Sequence, residues 1–225
     1  MDWVTYLSPS GGGARLGALE DGDVLGCPMT DDLAALLDAG PEAMAEAYAR
    51  AVDDPVEIIV EPEARMCAPL VPDDPVRARF GGTEVEVAPD LVRGVDDGVV
   101  SGALRAWVGL AAVSGSEGAA TAFTTACLWL DGAGTPLQLT LGPDLVTRDE
   151  FVDGEGETVE EFSASVGEEE RGRGGVAPWD AWFTSGTGRV RALLCLDTGP
   201  LEPDDELNVY PGVLGGFEVR VGSLV

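Results

Sequence analysis

The 225 residues include no histidine, and all 13 basic residues are arginine. A histidine base, a lysine Schiff base and a histidine metal ligand are therefore excluded. What remains for chemistry is carboxylates, thiols, hydroxyls, guanidinium groups and the backbone. The most regular carboxylate pattern is Thr83-Glu84-Val85-Glu86-Val87-Ala88. In a strand, alternate side chains share a face, so Glu84 and Glu86 project together. Such a pair suits a hard cation, and it equally suits an exposed acidic strand. Cys27, Cys67, Cys127 and Cys195 are far apart and follow no CxxC spacing. They are expected to be reduced, mostly buried thiols without an activating base. Ser8-Pro9-Ser10-Gly11-Gly12-Gly13 shares glycine content with a phosphate loop but lacks its GK[ST] ending and a following helix. With 41 Asp and Glu residues, nothing singles out a glycosidase pair.

The same 41 acids against 13 arginines give a net charge of −28. Such a field repels phosphate, so nucleic acid and anionic membrane surfaces are not expected partners. Self-repulsion of this size strains a fold in dilute buffer, and concentrated salt relieves it. The composition reads as that of a halophile's cytoplasmic protein. No apolar run reaches about 18 residues, and the start, Met1-Asp2-Trp3-Val4, has no basic export region. An apolar fraction of 45% supports one sizeable core, or a core with a small lobe.

The elements that must position these residues follow from periodicity and turn chemistry. Strands are predicted over 3–7 and 14–19, with the turn Glu20-Asp21-Gly22-Asp23 leading into Val24-Leu25. A helix over 33–39, capped by Asp31 or Thr30, ends at Gly40, and Pro41 opens a second helix to Val52. Residues 56–60 read as a strand, and 68–75, with three prolines, as an extended linker. Beyond it lie strands over 83–88, 122–130, 137–141, 189–196, 206–210 and 217–221. A helix over 99–106 is expected to run into a strand over 107–113. Residues 150–174 read as a solvated acidic loop or strand edge. The fold class is α+β and β-rich, with a small lobe over 1–67 and a β-rich domain over 76–225.

Several pieces, in order, resemble the fumarylacetoacetate hydrolase superfamily. Residues 3–25 resemble its N-terminal meander, and Ala68-Pro69-Leu70-Val71-Pro72 resembles its "aPlpxP" linker. Leu141-Gly142-Pro143-Asp144-Leu145-Val146-Thr147-Arg148-Asp149-Glu150 resembles "lGPxivtxdE", and Val166-Gly167-Glu168 resembles "VNGE". The closing stretch from Leu201 to Val225 resembles "LxpGDvvxvxxxGxGxlxxxV". The resemblance implies a mixed β-roll that cleaves, decarboxylates, dehydrates or tautomerises 2-oxo acids with Mg2+ or Mn2+. Thr83 to Ala88 is similar to the metal-binding "YExELA", which makes Glu84 and Glu86 the candidate ligands. The third ligand, the aspartate of "GYtvxND", falls on Gly115, and the "GlNYxxHxxE" segment and the lysine of "KSFD" are missing. The chain is also shorter than typical members, as a deletion around the site would make it.

The expected function is therefore that of a degenerate, non-catalytic relative, acting as partner subunit or small-molecule binder, with no cofactor. Its expected partner is a second copy or an intact family member, through apolar surface around Trp107, Trp179 and Trp182. The alternative is a divergent enzyme acting on a 2-oxo acid with Mg2+ or Mn2+ at Glu84 and Glu86. An unrelated acidic β-rich fold is the third reading.

Overall fold

A computed structural model describes residues 1–28, 32–116, 120–151, 161–175, 182–183, 189–212 and 214–224. The chain opens with β1 (Asp2–Leu7), β2 (Arg15–Glu20) and β3 (Asp23–Gly26), then α1 (Leu33–Ala39) and α2 (Pro41–Asp53). Next come β4 (Ile58–Val60), β5 (Arg65–Met66), β6 (Val76–Phe80), β7 (Thr83–Val87) and β8 (Val92–Arg93). The long strands β9 (Arg105–Ser114) and β10 (Ala120–Leu130) follow, then β11 (Pro136–Leu141), β12 (Asp144–Thr147) and α3 (Arg148–Phe151). The chain closes with β13 (Glu161–Val166), β14 (Glu169–Gly175), β15 (Val190–Pro200), β16 (Glu206–Tyr210) and β17 (Phe217–Arg220). The fold is thus α+β and β-rich, as expected.

Among the described residues one mixed sheet runs β4-β3-β2-β1-β12-β10-β9-β15-β6-β7, with β5, β8 and β11 attached at its flanks. A second sheet runs β14-β13-β16-β17. Side chains alternate along β9: Ala106, Val108, Leu110 and Ala112 join the core shared with the second sheet, while Ala111 and Val113 join the core beneath the helices. Strands apolar on both faces belong in the middle of a covered sheet, and β9 and β10 lie there.

The helices form for the reasons the sequence supplies. Asp32 caps α1, its side chain accepting from the Ala35 N–H at 2.8 Å; the expected caps, Thr30 and Asp31, lie outside the described residues. Gly40, at φ 95°, ends α1, and Pro41 sits in the first turn of α2. Leu33, Leu36 and Leu37 of α1, with Met44, Ala47 and Ala51 of α2, are buried against the sheet. Tyr48 meets Trp3 edge-on at 5.2 Å and donates to the Leu19 carbonyl. No described helix is long and apolar enough to cross a membrane.

One expectation is corrected. The helix predicted over 99–106 does not form: Gly102 turns the chain at φ 90°, Leu104 N–H bonds to Leu130 C=O at 2.9 Å, and β9 has begun by Arg105. Long-range pairing with β10 overrides local helix signals there. The large sheet includes strands from both sides of the expected division into a lobe over 1–67 and a domain over 76–225: Trp3 of β1 pairs with Leu145 of β12. Within the acidic stretch 150–174, expected as a solvated loop or strand edge, residues 161–175 make the hairpin β13–β14, turning at Gly167, with β14 at the edge of the second sheet.

Candidate functional site

Glu84 and Glu86 lie on one face of β7, both exposed. The antiparallel register places Glu84 opposite Arg79 and Glu86 opposite Arg77 on β6. Opposite charges directly across a sheet attract, and Glu84 takes both arginines. Its Oε1 accepts from Arg77 Nε at 3.0 Å and also from the Arg77 Nη2, and its Oε2 accepts from Arg79 at 3.4 Å. Arg77, with help from Arg79, holds the Glu84 carboxyl below the usual carboxylate range. The two guanidinium groups in turn stack on Trp182, at 5.2 and 4.0 Å from its centroid.

The next strand adds a third arginine. Arg191 of β15 is fully buried, lies in register with Arg77, and donates to Ser114 Oγ at 3.1 Å. Burial and the Arg77 charge push its guanidinium pKa down. The carboxylates therefore face a guanidinium-rich layer. The sequence carried a weak signal for it in the alternation Val76-Arg77-Ala78-Arg79, but nothing local placed Arg191 beside it.

Gly115, expected where a third ligand should stand, is elsewhere. It follows β9, and the order β9-β15-β6-β7 leaves three inter-strand gaps to β7, about 14 Å at the usual spacing. Ligands of one divalent cation lie about 2.0–2.6 Å from it, so this position and the Glu84/Glu86 pair do not share one. A side chain at 115 would also press on the Leu37 carbonyl, 2.8 Å from its Cβ position. Asp38, one residue on, holds that corner. It accepts from the Ser116 N–H at 2.8 Å and from Arg189 at 3.0 and 2.9 Å. Among the described residues no three Asp, Glu or Cys side chains gather closely enough to hold a metal ion.

On the opposite face, the centre of the sheet is apolar. Trp107 and Gly109 of β9 pair with Leu128 and Ala126 of β10. Leu128 is fully buried, and Trp107 packs on Phe80 with centroids 5.6 Å apart. At Gly109 the β15 backbone is so close that an added Cβ would lie 2.3 Å from the Leu193 carbonyl oxygen.

The remaining expected groups are placed as follows. The four cysteines are free; burial pushes the Cys195 thiol up to about 11 and raises Cys67 and Cys127 as well, so these three are not thiolate-like near neutral pH. Trp182 is 6% exposed, beneath Arg77 and Arg79, and so is not surface for a partner; Trp107 is half-buried, and Trp179 lies outside the described residues. Ser8 and Ser10 form a hydroxyl pair at 2.6 Å that ends on Glu57, which Tyr6 and Arg15 also share. It ties the glycine loop to the strand above it.

No protein-family model matches the chain, and no curated protein matches it significantly. Solved structures do. It resembles maleylpyruvate hydrolase from Sphingobium sp. SYK-6, solved with manganese(II) and pyruvate, with a TM-score of 0.77 at 13% identity over 98% of both chains. It resembles fumarylacetoacetate hydrolase from psychrophilic Exiguobacterium antarcticum at 0.75 and 18%, over 98% of this chain and 99% of that one. A probable 2-hydroxyhepta-2,4-diene-1,7-dioate isomerase from Mycobacterium abscessus gives 0.71 and 16%, over 98% of both. The fold of these structures is matched nearly end to end.

Proposed function

We propose that, on this shared frame, the chain is a non-catalytic relative of the hydrolases and isomerases it resembles, working as a partner subunit or a small-molecule binder. The observation that carries the reading is the register of the two central strands. The pattern "YExELA" has a second fit at Ala106-Trp107-Val108-Gly109-Leu110-Ala111, and "GYtvxND" at Ala122-Phe123-Thr124-Thr125-Ala126-Cys127-Leu128. These place the three ligand positions at Trp107, Gly109 and Leu128. Leu128 is paired directly with Trp107, and Gly109 lies one same-face step along β9, so the positions converge as a metal triad would have to. The fit made from sequence, Glu84, Glu86 and Gly115, spreads over four strands and does not converge.

A divalent cation does not fit either set. The converging set offers an indole, a hydrogen and an isobutyl group, none of them a hard oxygen donor. At position 109 the β15 backbone excludes a side chain altogether. The Glu84 carboxylate has two guanidinium partners in place of a metal. With neither set fitted to a Lewis acid that would hold an enolate, and no histidine or lysine to move its proton, the 2-oxo-acid chemistry of the frame would fall to a carboxylate base alone.

The test is calorimetric titration with Mg2+ and Mn2+, alongside turnover assays on acylpyruvates and oxaloacetate. No stoichiometric binding and no turnover are expected. One tight metal site abolished by Glu86→Gln would overturn the reading in favour of a divergent enzyme. Light scattering decides between self-association and a hetero-complex with an intact relative.

A further inference from the structure

A groove of about 860 Å3 runs between the linker after β5, the turns on either side of β8, and the last strand, β17. Most of its charged groups already have partners. Arg65 pairs with Asp97 at 3.2 Å, and Asp97 also accepts the Gly94 N–H at 2.9 Å. Asp96 accepts the Met66 N–H, and Arg220 pairs with Glu206. Three charges remain. Among the described residues Asp90 and Glu218 make no hydrogen bond or ion pair, although Glu218 adds to the negative field around Arg220, and Arg93 donates only to its neighbour's carbonyl, Val92 O, at 2.8 Å.

Arg93 is the informative one. Ten of the thirteen arginines form ion pairs among the described residues. In a chain with 41 acids, a half-buried guanidinium without a carboxylate partner stands apart. Its planar fork is suited to a carboxylate or a similar oxyanion. A free multiply charged anion is disfavoured, because Asp90 and Glu218 line the same groove and the whole molecule is strongly negative. An anionic head accompanied by a cationic group satisfies all three remaining charges. We propose that this groove binds a small zwitterion, its oxyanion on Arg93 and its cationic group towards Asp90 and Glu218.

The site shares no residue with positions 84, 86, 107, 109 or 128, so it stands or falls separately from the loss of metal chemistry. The test is calorimetry on the full chain with glycine betaine and with ω-amino acids of graded length, γ-aminobutyrate among them. Butyrate and butylammonium serve as the two half-ligands. At least one zwitterion should bind stoichiometrically, about tenfold tighter than either half. Arg93→Gln should lose about tenfold in affinity, with Arg93→Lys between it and the parent. The double variant Asp90→Asn, Glu218→Gln should weaken the zwitterion and strengthen butyrate, whose carboxylate no longer meets their charge. Unchanged circular dichroism establishes that the variants are folded. Butyrate binding as tightly as its amino analogue would overturn the zwitterion assignment. Absence of binding across the series, or binding indifferent to Arg93→Gln, would overturn the site.

Discussion

Asp144 opens β12 with 3% exposure, and both its carboxylate oxygens accept the Gly215 N–H, at 2.9 and 3.1 Å. Burial, reinforced by the charge of Asp2, pushes this carboxyl up to about 7, and the Gly215 N–H opposes the shift without cancelling it. A raised carboxyl pKa means that the folded state keeps a proton which the unfolded state releases near pH 4. The protonated residue's contribution is thus fully present below about pH 4, declines as pH rises, and is gone above about 7, a change of roughly 4 kcal/mol. Urea unfolding at intervals from pH 4 to 8 should show the parent losing stability across that window relative to Asp144→Asn. Parallel curves for the two proteins would exclude the effect. The residue was legible in sequence as part of Leu141-Gly142-Pro143-Asp144, but its burial was not. That depends on Gly215, 71 positions away, where any side chain would strike the carboxylate. Arg93 was illegible for the same reason: a missing partner is a property of the whole fold.

Among the elements, β9 and β15 fit together around a missing side chain. The register of β15 shifts between Leu194 and Leu196, beside Gly109, and its backbone lies where a Cβ would be. Gly109→Ala should lower the denaturation midpoint with little change in slope. The expected loss is about 1–3 kcal/mol from overpacking, partly offset by about 0.4–1 kcal/mol from the stiffer unfolded chain. A neutral or stabilising result would mean that β15 moves aside at little cost. At this scale much was legible: the opening meander, both helices, the linker and the closing strands follow from turn residues and periodicity. The segment 99–106 misled because alanines and leucines suit either state until β10 is present to pair with. The carboxylates at 84 and 86 misled in another way. Alternation does put them on one face, but which strands flank that face is set by topology, and the flanking strand carries Arg77 and Arg79.

For the molecule as a whole, the charge of −28 outweighs the local ion pairs. The pairs are mostly exposed, each contributing about 0–1 kcal/mol, and salt weakens them. Self-repulsion among the excess carboxylates is weakened by the same salt, and there are far more of those interactions. We therefore infer adaptation to high salt: scanning calorimetry should show the unfolding midpoint rising strongly between about 0.1 and 2 M KCl. A midpoint that stays level or falls over that range would remove the halophile reading. The fold shared with the solved structures it resembles was legible from short, ordered motifs spread along the chain, because turns and linkers carry their own local chemistry.

The place of β15 in the sheet also sets the order of events during synthesis. It lies between β9 and β6, paired antiparallel with the first and parallel with the second. Without it, the path β4-β3-β2-β1-β12-β10-β9 and the hairpin β6–β7 are separate pieces. Residues 76–87, made early, must therefore wait on the ribosome for Val190–Pro200. At about 5–20 residues per second that interval is on the order of ten seconds. Through that interval β6 and β9 each present an open edge of the kind that invites wrong pairing. The nascent chain is thus most exposed to misassembly and to proteases late in translation, and its dense negative charge is then what keeps neighbouring chains apart.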